Sequence, residues 1–109
     1  MASGTIKAPG TVKFEINKTA LYNSGTIDGY ISGNVVTIYF SVLKLTSATA
    51  WSNIATIPSG YRPKISINAT LYSDVMSPVA IYIGSNGGIQ STGGMSTSSN
   101  YSGAITYLI

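Results

Sequence analysis

Apolar residues recur at every second position along most of this chain, and that period restricts it to β structure. Between Val35 and Val42, the residues Val36, Ile38, Phe40 and Val42 fall on one face and Thr37, Tyr39 and Ser41 on the other. The same alternation sets Ile65, Ile67, Ala69 and Leu71 against Ser66, Asn68, Thr70 and Tyr72, and Val79, Ile81 and Ile83 against Ala80 and Tyr82. Shorter strands are predicted over residues 12–16, 20–22, 27–31, 54–57, 89–91 and 104–109. No window carries the 3.6-residue period of an amphipathic helix. The predicted fold is therefore all-β, an antiparallel sandwich of jelly-roll type, with the strand Val35–Leu45 central and Ile38 and Phe40 in its core.

Turn residues punctuate these runs. Asn86-Gly87 suits a type I′ hairpin turn joining residues 79–83 to 89–91. Asp28-Gly29 and Ser32-Gly33-Asn34 suggest turns or bulges on either side of Tyr30-Ile31, while Pro58-Ser59-Gly60 and Arg62-Pro63 delimit a loop. Residues 93–100 form the longest stretch without alternation and are expected to be a mobile surface loop. At 109 residues the chain has room for one core, so residues 11–109 are read as a single β domain preceded by residues 1–10.

The chemistry open to this domain is narrow. It contains no His and no Cys, which removes imidazole bases, thiolate nucleophiles, disulfides and Cys/His metal sites. The carboxylates are Glu15, Asp28 and Asp74, and nothing in their spacing pairs two of them across a sugar as glycoside hydrolysis requires. The serines have no His to activate them, and Gly84-Ser85-Asn86-Gly87-Gly88 leads into a strand rather than a phosphate-binding helix. No enzyme activity, no cofactor and no metal are expected. Charged residues make up only 8% of the chain, and the six cations behind its net charge of +3 form no run. Nucleic-acid binding, which needs clustered cations, is not expected, and no apolar stretch is long enough to span a membrane as a helix. The first four residues lack the charged and apolar regions of a secretion signal.

The remaining signal is eight tyrosines and one tryptophan among many Asn, Ser and Thr side chains. Aromatic faces stack on the C–H surfaces of sugar rings while amides and hydroxyls bond sugar hydroxyls, so this composition suits saccharide recognition as well as sheet formation. Tyr22, Tyr39, Tyr82 and Tyr107 read as sheet residues. Trp51 lies in a polar connection, where it could serve equally as core anchor or as binding platform. Asn100 and Tyr101 supply an amide and a hydroxyl in the loop over residues 93–102, and Asp74 lies near a turn that makes it a weaker candidate. The candidate saccharide-binding residues are thus Trp51, Asp74, Asn100 and Tyr101, in loops at one end of the fold.

From Trp51 onward the order of motifs is Trp51, then Ile-Pro-Ser-Gly-Tyr-Arg-Pro over residues 57–63, alternating strands, a Gly-Gly-Ile hairpin, and the ending Gly103-Ala104-Ile105-Thr106-Tyr107-Leu108-Ile109. This order resembles the C-terminal head domains of bacteriophage tail-fibre and baseplate receptor-binding proteins, especially those of siphophages of Gram-positive hosts. The resemblance implies a compact β head domain that assembles as a homotrimer at the virion tail tip, after synthesis in the host cytoplasm. It implies two kinds of partner, host cell-wall saccharides and an upstream tail or baseplate protein. Residues 1–10 would be the joint to that protein or a cloning remnant. A carbohydrate-binding or adhesin module of a bacterial surface protein is the alternative, and a structural capsid or tail subunit a third.

Overall fold

The structure is a computed structural model and describes residues 10–47 and 49–109. Most of the joint expected over residues 1–10 lies outside the described residues. Among the described residues, nine antiparallel strands follow in chain order: β1 (Val12–Phe14), β2 (Asn17–Lys18), β3 (Tyr22–Ser32), β4 (Val35–Leu45), β5 (Asn53–Thr56), β6 (Ile67–Ser73), β7 (Pro78–Ile83), β8 (Gly88–Gln90) and β9 (Tyr101–Leu108). They join in one continuous ladder in the order β1-β3-β4-β9-β6-β7-β8-β5-β2. The two ends of that order, β1 and β2, are separated in sequence only by Glu15 and Ile16. An extended chain covers Phe14 to Asn17 in no more than about 11 Å, so the sheet's two edges must meet and the sheet must curl. The all-β antiparallel expectation holds, with one curled sheet supplying both walls of the core.

That core follows the alternation. Val36, Ile38 and Phe40 of β4, Ala69 and Leu71 of β6, Val79, Ile81 and Ile83 of β7 and Ile89 of β8 are buried together. β4 is paired on both sides, with β3 and β9. The alternation breaks at Val42, which sequence period assigns to the core but which is exposed. Val42 has φ +45° at a shift in the β4–β9 register, and this bulge reverses the parity so that Leu43 and Leu45 point inward instead. Ile65 is also exposed and precedes β6.

Several turns differ from expectation for local reasons. The β7–β8 hairpin forms, but only Gly87 has positive φ, and Gly87 N–H donates to Gly84 O while Gly84 N–H donates to Gly88 O. This is a three-residue loop with a glycine bulge rather than a type I′ turn. Asp28-Gly29 is regular strand within an unbroken β3, because Gly29 leaves room for the ring of Phe14, its partner across β1–β3. The β3–β4 hairpin turns at Gly33-Asn34, as Ser32-Gly33-Asn34 suggested. In the loop after β5, Tyr61 N–H donates to Pro58 O with Gly60 at φ +97°, and Arg62 Nε–H donates to Ile57 O. The Ile-Pro-Ser-Gly-Tyr-Arg-Pro segment therefore fixes a turn, as its prolines and glycine imply.

Candidate functional site

Pairing registers collect three loops at one end of the sheet. Tyr101 at the start of β9 lies opposite both Leu43 near the end of β4 and Ser73 at the end of β6, and Tyr72 lies opposite Pro78 at the start of β7. The connections 73–77 and 91–100 therefore leave the sheet together, and the segment entering β5 at Asn53 arrives at the same end through its pairing with Gln90.

Asp74 and Asn100, distant in sequence, line one cleft of about 440 Å³ with Val42, Tyr72, Ser73, Met76, Ser102 and Gly103. The cleft combines a carboxylate, an amide and serine hydroxyls with apolar walls. Among the described residues the one ion pair is Lys13–Asp28 at 3.5 Å, so no described cation neutralises Asp74. Ser102 Oγ accepts the Val42 N–H at 2.9 Å and thereby holds the bulge that turns Val42 outward into the cleft.

The β6–β7 loop has a second unusual residue. Met76 N–H donates to Ser73 O and Ser73 N–H donates to Ser77 O, the same pattern that closes the β7–β8 loop. The left-handed position is Gly87 in one loop and Met76, at φ +61°, in the other. Only three non-glycine residues among those described have positive φ: Val42, Trp51 and Met76. They are 55%, 62% and 73% exposed, so no burial of the side chain offsets the strain. Two of the three line the Asp74–Asn100 cleft.

The other two sequence candidates lie elsewhere. Tyr101 is buried at the start of β9 and its hydroxyl accepts the Ser96 N–H at 2.7 Å. Its backbone is in the sheet and its side chain in the core, so it does not present a free loop hydroxyl. It also tethers the 91–100 loop, which is further anchored by buried Met95 and by Ser91, whose Oγ donates to Thr49 O at 2.6 Å. The expectation of a loose surface loop gives way to a segment held at three points. Trp51 is exposed rather than a core anchor, and it packs edge to face on Tyr82, away from the cleft-lining residues.

Val42, Tyr72, Met76 and Ser102 were not singled out from sequence. The Val42 bulge has no local signature, whereas Val75-Met76, two large apolar residues inside a turn before Ser77-Pro78, is a pattern that could have drawn notice. A larger depression, about 510 Å³, lies on the outer face of β3 and β4 and includes Tyr30, Val35, Thr37 and Tyr39. It is the pleated surface of a sheet whose one carboxylate, Asp28, is already engaged by Lys13. None of these clefts holds two carboxylates, and the described residues contain no cluster of metal-ligating side chains.

No family model and no curated protein matches the sequence. The fold does have a solved counterpart. The head domain of phage bIL170, described among the receptor-binding domains of lactococcal phages, superposes with a TM-score of 0.68 at 12% identity, over 90% of this chain and 97% of that one. The nine-stranded curled sheet of this chain thus shares its fold with that head domain.

Proposed function

We propose that this protein is a non-enzymatic receptor-binding head domain of a phage tail, and that it recognises host cell-surface saccharide through the Asp74–Asn100 cleft. One observation carries the assignment of the site. Val42 and Met76 hold left-handed backbones at exposed positions and both line the cleft that contains Asp74 and Asn100. Strain of this kind is kept where a side chain is needed at a given place. Asp74 and Asn100 offer acceptors and a donor to sugar hydroxyls, and Tyr72, Val42 and Met76 offer apolar contact to the C–H face of a ring.

The head assembles as a homotrimer on a tail or baseplate protein at the virion tip. The outer face of β3, β4 and β9 supports this reading. It carries exposed Val35, Tyr39 and Leu108, an edge-to-face Tyr30–Tyr39 pair, and Thr37 hydrogen-bonded to Thr106. Three weak sites on one trimer raise avidity by effective concentration without new contacts. The test is retention of the purified protein on Gram-positive cell walls, compared among untreated walls, walls stripped of protein by protease and walls oxidised with periodate. Retention that periodate oxidation of the wall sugars abolishes is the expected result. Retention that survives periodate but not protease would assign the receptor to a protein, and release of soluble sugar from the wall would make the domain an enzyme.

A further inference from the structure

The outer face of β6, β7, β8 and β5 carries a second, unassigned surface. Cross-strand partners lie on the same side of a sheet, and here they form a row: Asn68 opposite Tyr82, Tyr82 opposite Gln90, Gln90 opposite Asn53. The row crosses four strands and contains three amides, one phenol and no charge. Trp51 stands beside it, 62% exposed, with its ring edge to face on Tyr82 at a centroid distance of 5.7 Å. Its backbone is strained at φ +63° and is held there by Trp51 N–H donating to Ser91 O at 2.8 Å. Ser91 is itself fully buried. The indole is therefore fixed from below and open above. Tyr82 and Gln90 also line a shallow pocket of about 320 Å³ with Ser66, Ser85 and Asn86.

We infer that Trp51 and the Asn68–Tyr82–Gln90–Asn53 row form a second subsite for uncharged pyranose rings of a glycan chain. A rigid exposed indole stacks on a sugar's C–H face, and side-chain amides bond its hydroxyls as both donors and acceptors. With no cation in the row, an anionic polymer has nothing there to neutralise it. Tyr72, which lines the Asp74–Asn100 cleft, is four residues along β6 from Asn68, about 13 Å at the rise of an extended strand. One glycan could engage both subsites on the same face. This inference rests on the saccharide-binding reading above.

Trp51 is the chain's single tryptophan, so fluorescence excited at the red edge of the spectrum, where the eight tyrosines do not absorb, reports this subsite alone. The full chain would be titrated to millimolar concentration with uncharged tetrasaccharides of glucose, of galactose and of N-acetylglucosamine, and its retention on cell walls measured in parallel. A saturable change with at least one tetrasaccharide is expected, weakened about tenfold in Gln90→Ala at an unchanged melting temperature, a loss of about 1.4 kcal/mol. No change with any of the three, together with full wall retention by Trp51→Ala, would overturn the second subsite and leave the saccharide reading standing. Absence of wall retention by the native protein would overturn both. A Trp51 spectrum that shifts on dilution without sugar would assign this face to a second copy of the chain and also overturn the inference.

Discussion

Phe14 stacks face to face on Tyr61, with ring centroids 4.0 Å apart and planes 8° from parallel. The pair joins the β1 edge to the loop after β5, close to where the curled sheet meets itself. Phe14 is buried, and Gly29 beneath it has no side chain because the ring occupies that space. Phe14→Ala should lower stability by about 3–5 kcal/mol. Gly29→Ala should also destabilise, since a methyl group there overlaps the ring. Urea unfolding midpoints measure both, and unchanged midpoints would mean that β1 does not seal the sheet.

Met76 occupies the left-handed position that glycine fills in the neighbouring hairpin. Met76→Gly should relieve strain of about 1–2 kcal/mol against an entropic penalty of about 0.5–1 kcal/mol, for a net gain near 0.5–1 kcal/mol. The same variant should bind cell walls more weakly, because a cleft wall is lost. Thermal melting and wall retention test the two halves separately. A stabilised variant with undiminished binding would remove Met76 from the site.

Tyr107 is buried and donates its hydroxyl hydrogen to Tyr61 O. Burial pushes its phenol above the ordinary tyrosine value of about 10. Because the folded-state value is the higher one, the stabilisation is complete below about pH 10 and is lost as pH rises toward the folded-state value, where the unfolded chain has already released its proton. Tyr107→Phe should lose about 1–2 kcal/mol at neutral pH by leaving the Tyr61 carbonyl unpaired. Its stability should approach that of the native protein above pH 10. Parallel denaturation curves at pH 7 and above pH 10 check this.

The trimer reading predicts a mass three times the 11.3 kDa of one chain by light scattering. Leu108→Lys, on the exposed β9 face, should dissociate it, because three cations would be brought into an apolar interface. A native mass of one chain at micromolar concentration would contradict the reading.

The parts of this fold legible in sequence are those set by local period. Val36, Ile38 and Phe40 pointed inward as their alternation required, and Asn86-Gly87 marked its hairpin. What escaped depended on backbone events or on distant pairing. The Val42 bulge reversed the parity of β4 without any glycine at the bulge itself to announce it. Asp74 and Asn100 share a cleft only because β6 pairs with β9, a contact between strands that are not neighbours in sequence. Tyr101 looked like a loop residue because small polar residues precede it, yet it begins β9 and closes the core.

If the Asp74–Asn100 cleft holds host saccharide, removing both side chains must weaken wall binding. Asp74→Ala combined with Asn100→Ala alters two side chains that are not in the core, so the fold should survive, as an unchanged melting temperature would verify. Affinity for protease-stripped Gram-positive cell walls would be compared with that of the native protein and of Glu15→Gln, a carboxylate change outside the cleft. The double variant should lose at least about tenfold in affinity, the equivalent of about 1.4 kcal/mol, while Glu15→Gln binds as the native protein does. Equal affinity of all three proteins would contradict saccharide binding in this cleft.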